Sequence, residues 1–335
     1  MPEKNADMLG MVDSPARTRQ HKPAAQKPVP AKTGLAGKLR ARLRGLFGRG
    51  APGKSSPASA SASASTPPKP QAAPASAPVK GAPRLWQTTR PELLETIWGK
   101  GWHLPLGVAM TDVLVRATGL TKEMSVLDLS AGLGGMARKI AEEYKTYVTG
   151  LEPDAALAGY ATHESKRLKM TRTVSIAAYD PETYVPEKRY DCVLARELFF
   201  RIQDRPRFIK AVAASLKNYG QVSWTDFLAE SDVCDHPAVA AWRAHELGGR
   251  APMALQEVTD LWQTLNYDLR VAEDRTDKYM QGILSGLGGF VRFFQGRKIA
   301  ETAKPVVLAE IELWARRAAA LQRGVRLYRF YALKK

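Results

Sequence analysis

The chain has 335 residues, with 50 Lys plus Arg against 33 Asp plus Glu and a formal net charge of +17 at pH 7. Its sequence has no apolar run of the roughly 18 to 20 residues that a membrane span needs, and Cys192 and Cys234 lack the neighbour spacing of a metal site. These features argue against a membrane-spanning protein and a cysteine-ligated metal protein, and a reducing cytosol is the simplest setting.

Residues 1–85 are rich in Ala, Pro, Ser and Lys, and Ser55 to Ala77 is close to low complexity. Such a segment cannot bury enough apolar surface to offset its ordering entropy, which predicts a disordered basic tail. Before Leu85 there are 15 Lys plus Arg and 3 acids, so the tail carries +12 of the +17 and the rest is mildly basic. A basic tail attracts any polyanion without telling nucleic acid from membrane. Within it, Leu35, Leu39, Leu43, Leu46 and Phe47 form one stripe at helical spacing, flanked by Lys38, Arg40, Arg42, Arg44 and Arg49. An anionic membrane surface is therefore a candidate partner through residues 34–49, with a solvated linker as the alternative. Gly37, Gly45 and Gly48 weaken that helix. The N-terminus has no apolar core of a secretory signal, so the expected location is cytoplasmic, or peripheral on the inner face of the membrane.

From residue 86 short apolar runs alternate with longer amphipathic stretches, the pattern of an α/β fold with a parallel sheet. Strands are expected at Ser125 to Leu129, Tyr147 to Leu151, Thr173 to Ala177, Asp191 to Ala195 and Gln221 to Thr225, with helices between them. Arg205 to Leu216 predicts a helix burying Phe208, Ile209, Val212 and Leu216, ended by Tyr219-Gly220. A helical insert of about residues 228–266 follows, then a strand near Tyr267 to Val271, helices Tyr279 to Gln295 and Pro305 to Arg323, and a last strand Val325 to Ala332. Residues 86–335 read as one domain. The insert and the late helices are expected to roof a pocket, and their apolar content suggests a greasy or flat substrate.

Val126 to Gly135 is the most informative stretch. An apolar strand ends in Asp128, then Ser130, Ala131, Gly132 and Gly134 permit a tight turn, and the helix from Met136 is expected to offer free backbone N–H groups to a ligand. Gly132, Gly134 and Ala137 also satisfy the dinucleotide pattern of dehydrogenases, so the neighbouring charges decide. Asp128 would repel a pyrophosphate, whereas it suits a cofactor carrying an ammonium and a sulfonium. Glu152, 20 residues after Gly132, is placed to accept ribose hydroxyls, and Asp180, after Val174 to Ala178, to receive the adenine amino group. Three acids at strand ends favour S-adenosylmethionine over NAD.

On these residues the chain resembles the class I S-adenosylmethionine-dependent methyltransferases from roughly Leu93 to Asp226. The resemblance implies a doubly wound, mostly parallel seven-stranded α/β sheet, Rossmann-like, with an antiparallel C-terminal edge hairpin. It further implies that Asp128, Gly132 and Gly134, with Ser130 and Ala131 in the same loop, shape the methionine end of the site. Glu152 and Pro153 would hold the ribose, Tyr179 and Asp180 border the adenine, and Ala195 and Arg196 close the site from the fourth strand. Ser130 stands where the family usually has its first glycine.

Two segments are similar to small-molecule amine methyltransferases, the phosphoethanolamine type in particular. One is the lid-like Ile97-Trp98-Gly99-Lys100-Gly101-Trp102-His103. The other is Ala195-Arg196-Glu197-Leu198-Phe199-Phe200-Arg201-Ile202, then Gln203-Asp204, where those enzymes have Ser-Arg-Asp, an apolar triplet and His-Ile. Arg201 replaces the histidine, so the resemblance implies the reaction type and leaves the substrate open.

Methyl transfer from a sulfonium is a direct displacement, in which the protein aligns a nucleophile and excludes water. No nucleophilic triad and no metal are needed. Glu197, Asp226 and His103 are the candidate catalytic residues, and Trp98, Trp102 and Arg201 the candidate lid and substrate groups. Glu197 or Asp226 would attract a cationic substrate, Arg196 and Arg201 would grip a carboxylate or phosphate, and the lid aromatics would stack on a methylammonium. The competing structural roles are core for Trp98 and Trp102, a solvated helix end for Arg201 and a turn for Asp226. Base methylation calls for Asn or Asp before Pro-Pro-aromatic after the fourth strand, and Ala195-Arg196-Glu197-Leu198 departs from it, so a sequence-specific nucleic-acid partner is not expected. The reading is methyl transfer from S-adenosylmethionine to a small amine or lipid-related molecule. The alternative is an inactive scaffold of the same fold, tethered by its tail to membrane or another polyanion.

Overall fold

The computed structural model describes residues 85–335. The basic tail expected for residues 1–85 and the amphipathic segment 34–49 lie outside the described residues, apart from Leu85. The alternating apolar runs become a seven-stranded sheet of order β3-β2-β1-β4-β5-β7-β6. Its strands are β1 (Ser125–Asp128), β2 (Tyr147–Glu152), β3 (Val174–Ala178), β4 (Tyr190–Arg196), β5 (Leu216–Leu228), β6 (Tyr267–Asp274) and β7 (Arg326–Lys334). Strands β1 to β5 pair in parallel, and β7 lies antiparallel to both β5 and β6.

Strands β1 and β4 are covered on both faces, which is why they read as nearly continuous apolar runs. Val126 and Leu194 belong to one core and Leu127 and Val193 to the other. The first core is closed by α2 (Gly107–Val115), α3 (Gly135–Tyr144), α4 (Ala155–Arg167) and two late helices described below; the second is closed by α5 (Arg205–Ala214) and part of the insert. The strand order reverses between β1 and β4, and ligands of doubly wound sheets bind in the crevice beyond the strand ends at such a point.

One expectation needs correction, the end of α5. Leu216 is in β5, paired with Tyr190, instead of closing the helix. Tyr219, at φ 61, and Gly220 form an irregularity inside the strand, and Ser215 caps the helix. The antiparallel edge pair is present as β6 and β7, with the two expected helices, α9 (Thr276–Phe294) and α10 (Lys304–Gln322), between them in the chain, and β7 inserts between β5 and β6. The insert is three helices, α6 (Ser231–Cys234), α7 (Pro237–Glu246) and α8 (Leu255–Thr264), of which α8 lies on the second core through Val258 and Trp262.

Helix α1 (Arg90–Trp98) and the loop to α2 lie over the strand ends. α9 admits them closely through glycines: a Cβ on Gly286 would fall 2.3 Å from the Trp98 ring, and one on Gly282 2.9 Å from Leu106. At the start of the described chain Trp86 bridges to Ile299 and sets its ring edge-on to Phe294 at 4.7 Å. Among the described residues no helix is long and apolar enough to cross a membrane.

Candidate active site

The turn after β1 reverses through two left-handed glycines, Gly132 at φ 54 and Gly134 at φ 81, which other residues adopt only with strain. Three amides ahead of the helical segment from Met136, whose N–H groups are the ones expected to be free, are engaged. Gly132 N–H donates to Glu152 Oε2 at 2.6 Å, Gly134 N–H to the Ala131 carbonyl at 2.7 Å, and Gly135 N–H to the Gly101 carbonyl at 2.9 Å. The lid backbone covers the start of α3 so closely that a Cβ on Gly135 would lie 2.4 Å from Gly101 O. A pyrophosphate would find these amides taken and a carboxylate in their midst, so the electrostatic case against a dinucleotide grows stronger.

Asp128 is buried behind this loop. Its Oδ1 accepts the Ser130 N–H at 3.1 Å, Oδ2 has no partner, and burial pushes the carboxyl up to about 7. Ser130 fits the glycine position well: its Oγ accepts the Arg196 N–H at 2.6 Å and ties the β1 turn to the end of β4. Glu152 also accepts the Asp154 N–H on Oε1 at 2.9 Å. Burial raises its carboxyl, and each oxygen keeps a second lone pair for a ligand hydroxyl. Asp154 caps α4, which fixes the turn after β2.

A cavity of about 260 Å³ opens at these strand ends. It gathers His103, Ser130, Glu152, Pro153, Arg196, Glu197 and Arg201 from the sequence candidates. The others lie off its walls. Asp226 is buried with Oδ1 accepting the Phe200 N–H at 3.2 Å, and burial pushes it up to about 8. Tyr179 donates its hydroxyl to the Leu129 carbonyl at 2.9 Å, and Asp180 accepts the Glu182 N–H at 2.9 Å in a turn. Ala131 and Ala195 are core, Gly132 and Gly134 form the loop floor, Trp98 packs on Trp314 at 4.5 Å, and Trp102 packs against Gly107 and Gly135. Neither the insert nor α9 lines the cavity; α10 supplies Glu310, Leu313, Trp314 and Arg317.

Four guanidiniums and five carboxylates stand in the wall, which is at odds with the greasy or flat substrate suggested by the roof's composition. Glu197 turns inward because its backbone takes the left-handed region at φ 53, a strained choice for this residue. It is 4% exposed; Oε2 receives Arg317 Nη1 at 2.9 Å, and Oε1 has no partner. Arg317 also forks onto Glu246 of α7, Nε to Oε1 and Nη2 to Oε2, both at 2.7 Å. Glu246 further accepts Arg201 Nη2 at 3.0 Å and Trp242 Nε1 at 2.9 Å. Burial pushes the Glu246 carboxyl up, but Arg317 and Arg201 outweigh it and hold it at about 2. Arg196 is buried, gives Nη2 to the Pro105 carbonyl at 2.7 Å and leaves Nε unpartnered. Arg90 crosses the mouth, with Nη1 2.6 Å from Asp154 and Nε 3.2 Å from Glu310. His103 lies on Gly132, and burial together with Arg196 keeps its imidazole neutral.

Arg90, Asp154, Glu310 and Arg317 escaped the sequence reading. Glu310, Trp314 and Arg317 recur at i, i+4 and i+7 on the buried side of α10, so two charged residues on an apolar stripe were the available signal. Among the described residues no group of three or more His, Cys, Asp or Glu is arranged to hold a metal ion.

A family model described as a methyltransferase domain matches residues 106–272. The chain is 27% identical over 199 residues to phosphoethanolamine N-methyltransferase 1 of Zea mays, covering 58% of this chain and 38% of that protein. The chain thus spans less than two fifths of the length of that curated relative. Among solved structures, Haemonchus contortus phosphoethanolamine N-methyltransferase 2, in complex with phosphomonomethylethanolamine and S-adenosylhomocysteine, superposes with TM-score 0.63 at 18% identity, over 73% of this chain and 57% of its own. A putative sarcosine dimethylglycine methyltransferase from Galdieria sulphuraria superposes with TM-score 0.60 at 14% identity, over 73% of this chain and 96% of its own. These structures share the fold with the methyltransferase domain.

Proposed function

We propose that the protein transfers a methyl group from S-adenosylmethionine to a small amine. The observation that carries this reading is one chamber holding two buried carboxylates in different employment: Glu152, bound to the glycine loop, and Glu197, with an oxygen left over. The fold and the relatives named above support the same reaction class.

The residues fit the cofactor. Glu152 would take the ribose hydroxyls on its remaining lone pairs, with Pro153 beside it. The unpartnered Oδ2 of Asp128 and Nε of Arg196 have the charges for the ammonium and the carboxylate of the methionine end. Tyr179 and Asp180 are kept as the adenine border. When bound, the cofactor supplies a methyl group made electrophilic by its sulfonium. His103, lying on the glycine loop, excludes water, and Glu197 Oε1 holds an N–H of the acceptor so that its lone pair is aligned. Asp226, Trp98 and Trp102 act behind the wall, as supports of Phe200, Trp314 and the lid.

The bond between Ser130 and Arg196 supports an intact loop and weighs against an inactive scaffold. Residues 86–335 are proposed as the methyltransferase domain with its helical insert, working in the cytoplasm, and residues 34–49 as a contact for anionic membrane. Sedimentation with phosphatidylglycerol vesicles tests that contact. Calorimetric titration with S-adenosylmethionine tests the core of the proposal: saturable binding is expected, and its absence would remove the enzyme reading.

A further inference from the structure

We infer that the methyl acceptor is an amino acid-like zwitterion with one negative charge, its nitrogen on Glu197 and its carboxylate on Arg201, and not a phosphate monoester. This rests on the methyl-transfer reading above and goes beyond it to the acceptor's charge.

The cavity's positive charges are nearly all engaged. Arg90 is shared between Asp154 and Glu310, and Arg317 spends three N–H groups on Glu197 and Glu246. Arg196, whose guanidinium makes one hydrogen bond, to the Pro105 carbonyl, and leaves Nε unpartnered, is assigned above to the carboxylate of the cofactor's methionine end. Arg201 differs. Its guanidinium makes one hydrogen bond, from Nη2 to Glu246, and its side chain is 46% exposed in the cavity wall. With Arg196 given to the cofactor, one edge of one guanidinium is left for the acceptor, the shape that a planar carboxylate fills with two parallel hydrogen bonds.

Negative charge is abundant by comparison, with five carboxylates lining the same space. A phosphate dianion would add a second negative charge with no acceptor-side cation left to meet it, beside carboxylates that repel it. A zwitterion brings its own positive partner for Glu197, whose buried Oε1 has no hydrogen-bond partner among the described residues and whose carboxylate otherwise meets Arg317 and the buried Tyr279 phenol. Glu197 and Arg201 are four residues apart, across the turn from β4 into the 3-10 turn Phe199–Arg201. Both are fixed through Arg317 and Glu246. The acceptor's ammonium first gives one proton to Glu197 Oε1, from which it passes to solvent. The freed amine lone pair then forms the N–C bond while the C–S bond breaks and its electrons return to sulfur, which leaves a methylated ammonium and a neutral thioether.

The test uses the full chain. Calorimetry with S-adenosylhomocysteine first establishes a working cofactor site. Methyl-labelled S-adenosylmethionine is then offered with glycine, sarcosine and β-alanine, and separately with phosphoethanolamine and ethanolamine. Label is expected in at least one amino acid and not in phosphoethanolamine. Arg201→Gln should raise the amino acid KM about tenfold or more with little change in kcat, as expected when uniform binding is lost, and Arg201→Lys should recover part of it. Thermal melting checks that both variants fold. Preferential labelling of phosphoethanolamine or ethanolamine, an unchanged KM in Arg201→Gln, or cofactor binding with no amino acid methylated would overturn the inference while leaving the methyltransferase reading in place. Absence of cofactor binding would overturn the reading itself.

Discussion

Arg317 Nη1 lies 2.9 Å from Glu197 Oε2, and each of these side chains is only 1% exposed. A pair so fully withdrawn from water is held by mutual need. Removing the guanidinium strands Glu197 and Glu246 together, since Arg317 is the buried partner of both. Arg317→Leu should therefore cost about 3–5 kcal/mol of stability, read from urea denaturation. A loss under about 1 kcal/mol would show that the network is not needed for folding.

Glu152 bridges the glycine loop and the turn after β2. Glu152→Gln keeps its shape but replaces an acceptor oxygen with a donor. Cofactor affinity should fall about tenfold to a hundredfold, corresponding to roughly 1.5–3 kcal/mol for hydrogen bonds to a charged group. Calorimetry checks this; a change of less than about threefold would mean that the ribose is held elsewhere.

Two buried acids shifted in opposite directions, Asp226 and Glu246, give a pH signature. Asp226 goes from an ordinary 3.8 to about 8 in the folded protein, because burial opposes its charge. The unfolded chain therefore releases this proton first. The group's contribution is complete below pH 3.8 and is lost as pH rises toward 8, with a slope of up to about 1.4 kcal/mol per pH unit. Asp226→Asn should melt at a temperature that gains on the wild type between pH 5 and 8.5. Parallel curves would contradict the assignment. Glu246, held at about 2, works in the opposite direction: its contribution is present above 4.5 and disappears as pH falls toward 2.

The lid's closeness can be tested at one atom. Gly135→Ala places a methyl 2.4 Å from the Gly101 carbonyl, and backbone cannot step aside cheaply. A loss of about 1–3 kcal/mol is expected, with faster amide exchange across residues 99–103. Gly159 is the control: it is a helical glycine in α4 whose added Cβ meets nothing within 4 Å, so Gly159→Ala should gain about 0.5–1 kcal/mol. Equal behaviour of the two variants would remove the lid contact from the account.

What the sequence revealed follows the range of each interaction. Asp128, Glu152 and the glycines were readable because a strand, a turn and a helix succeed one another within thirty residues, each with its own periodicity. The β5 start was misjudged because a helix pattern runs directly into a strand: Leu216 continues the apolar spacing of α5 while pairing with Tyr190. The place of β7 between β5 and β6 is a pairing choice made across the sheet, and local pattern carries no record of it. The same holds for Glu197 and Arg317, which are 120 positions apart. Two of the nine charged groups in the cavity wall, Glu310 and Arg317, thus come from a helix that reads, residue by residue, as roof.

Trp86 stands where the first 84 residues join the described fold, and its backbone is clasped on both sides, N–H to Lys298 O and C=O to Ala300 N–H, each at 2.9 Å. Its ring is wedged among Phe290, Phe293 and Phe294 at the end of α9. The entry of the described fold is thereby fastened to the segment between α9 and α10, so that loosening Trp86 would loosen the connection into the helix that carries Arg317.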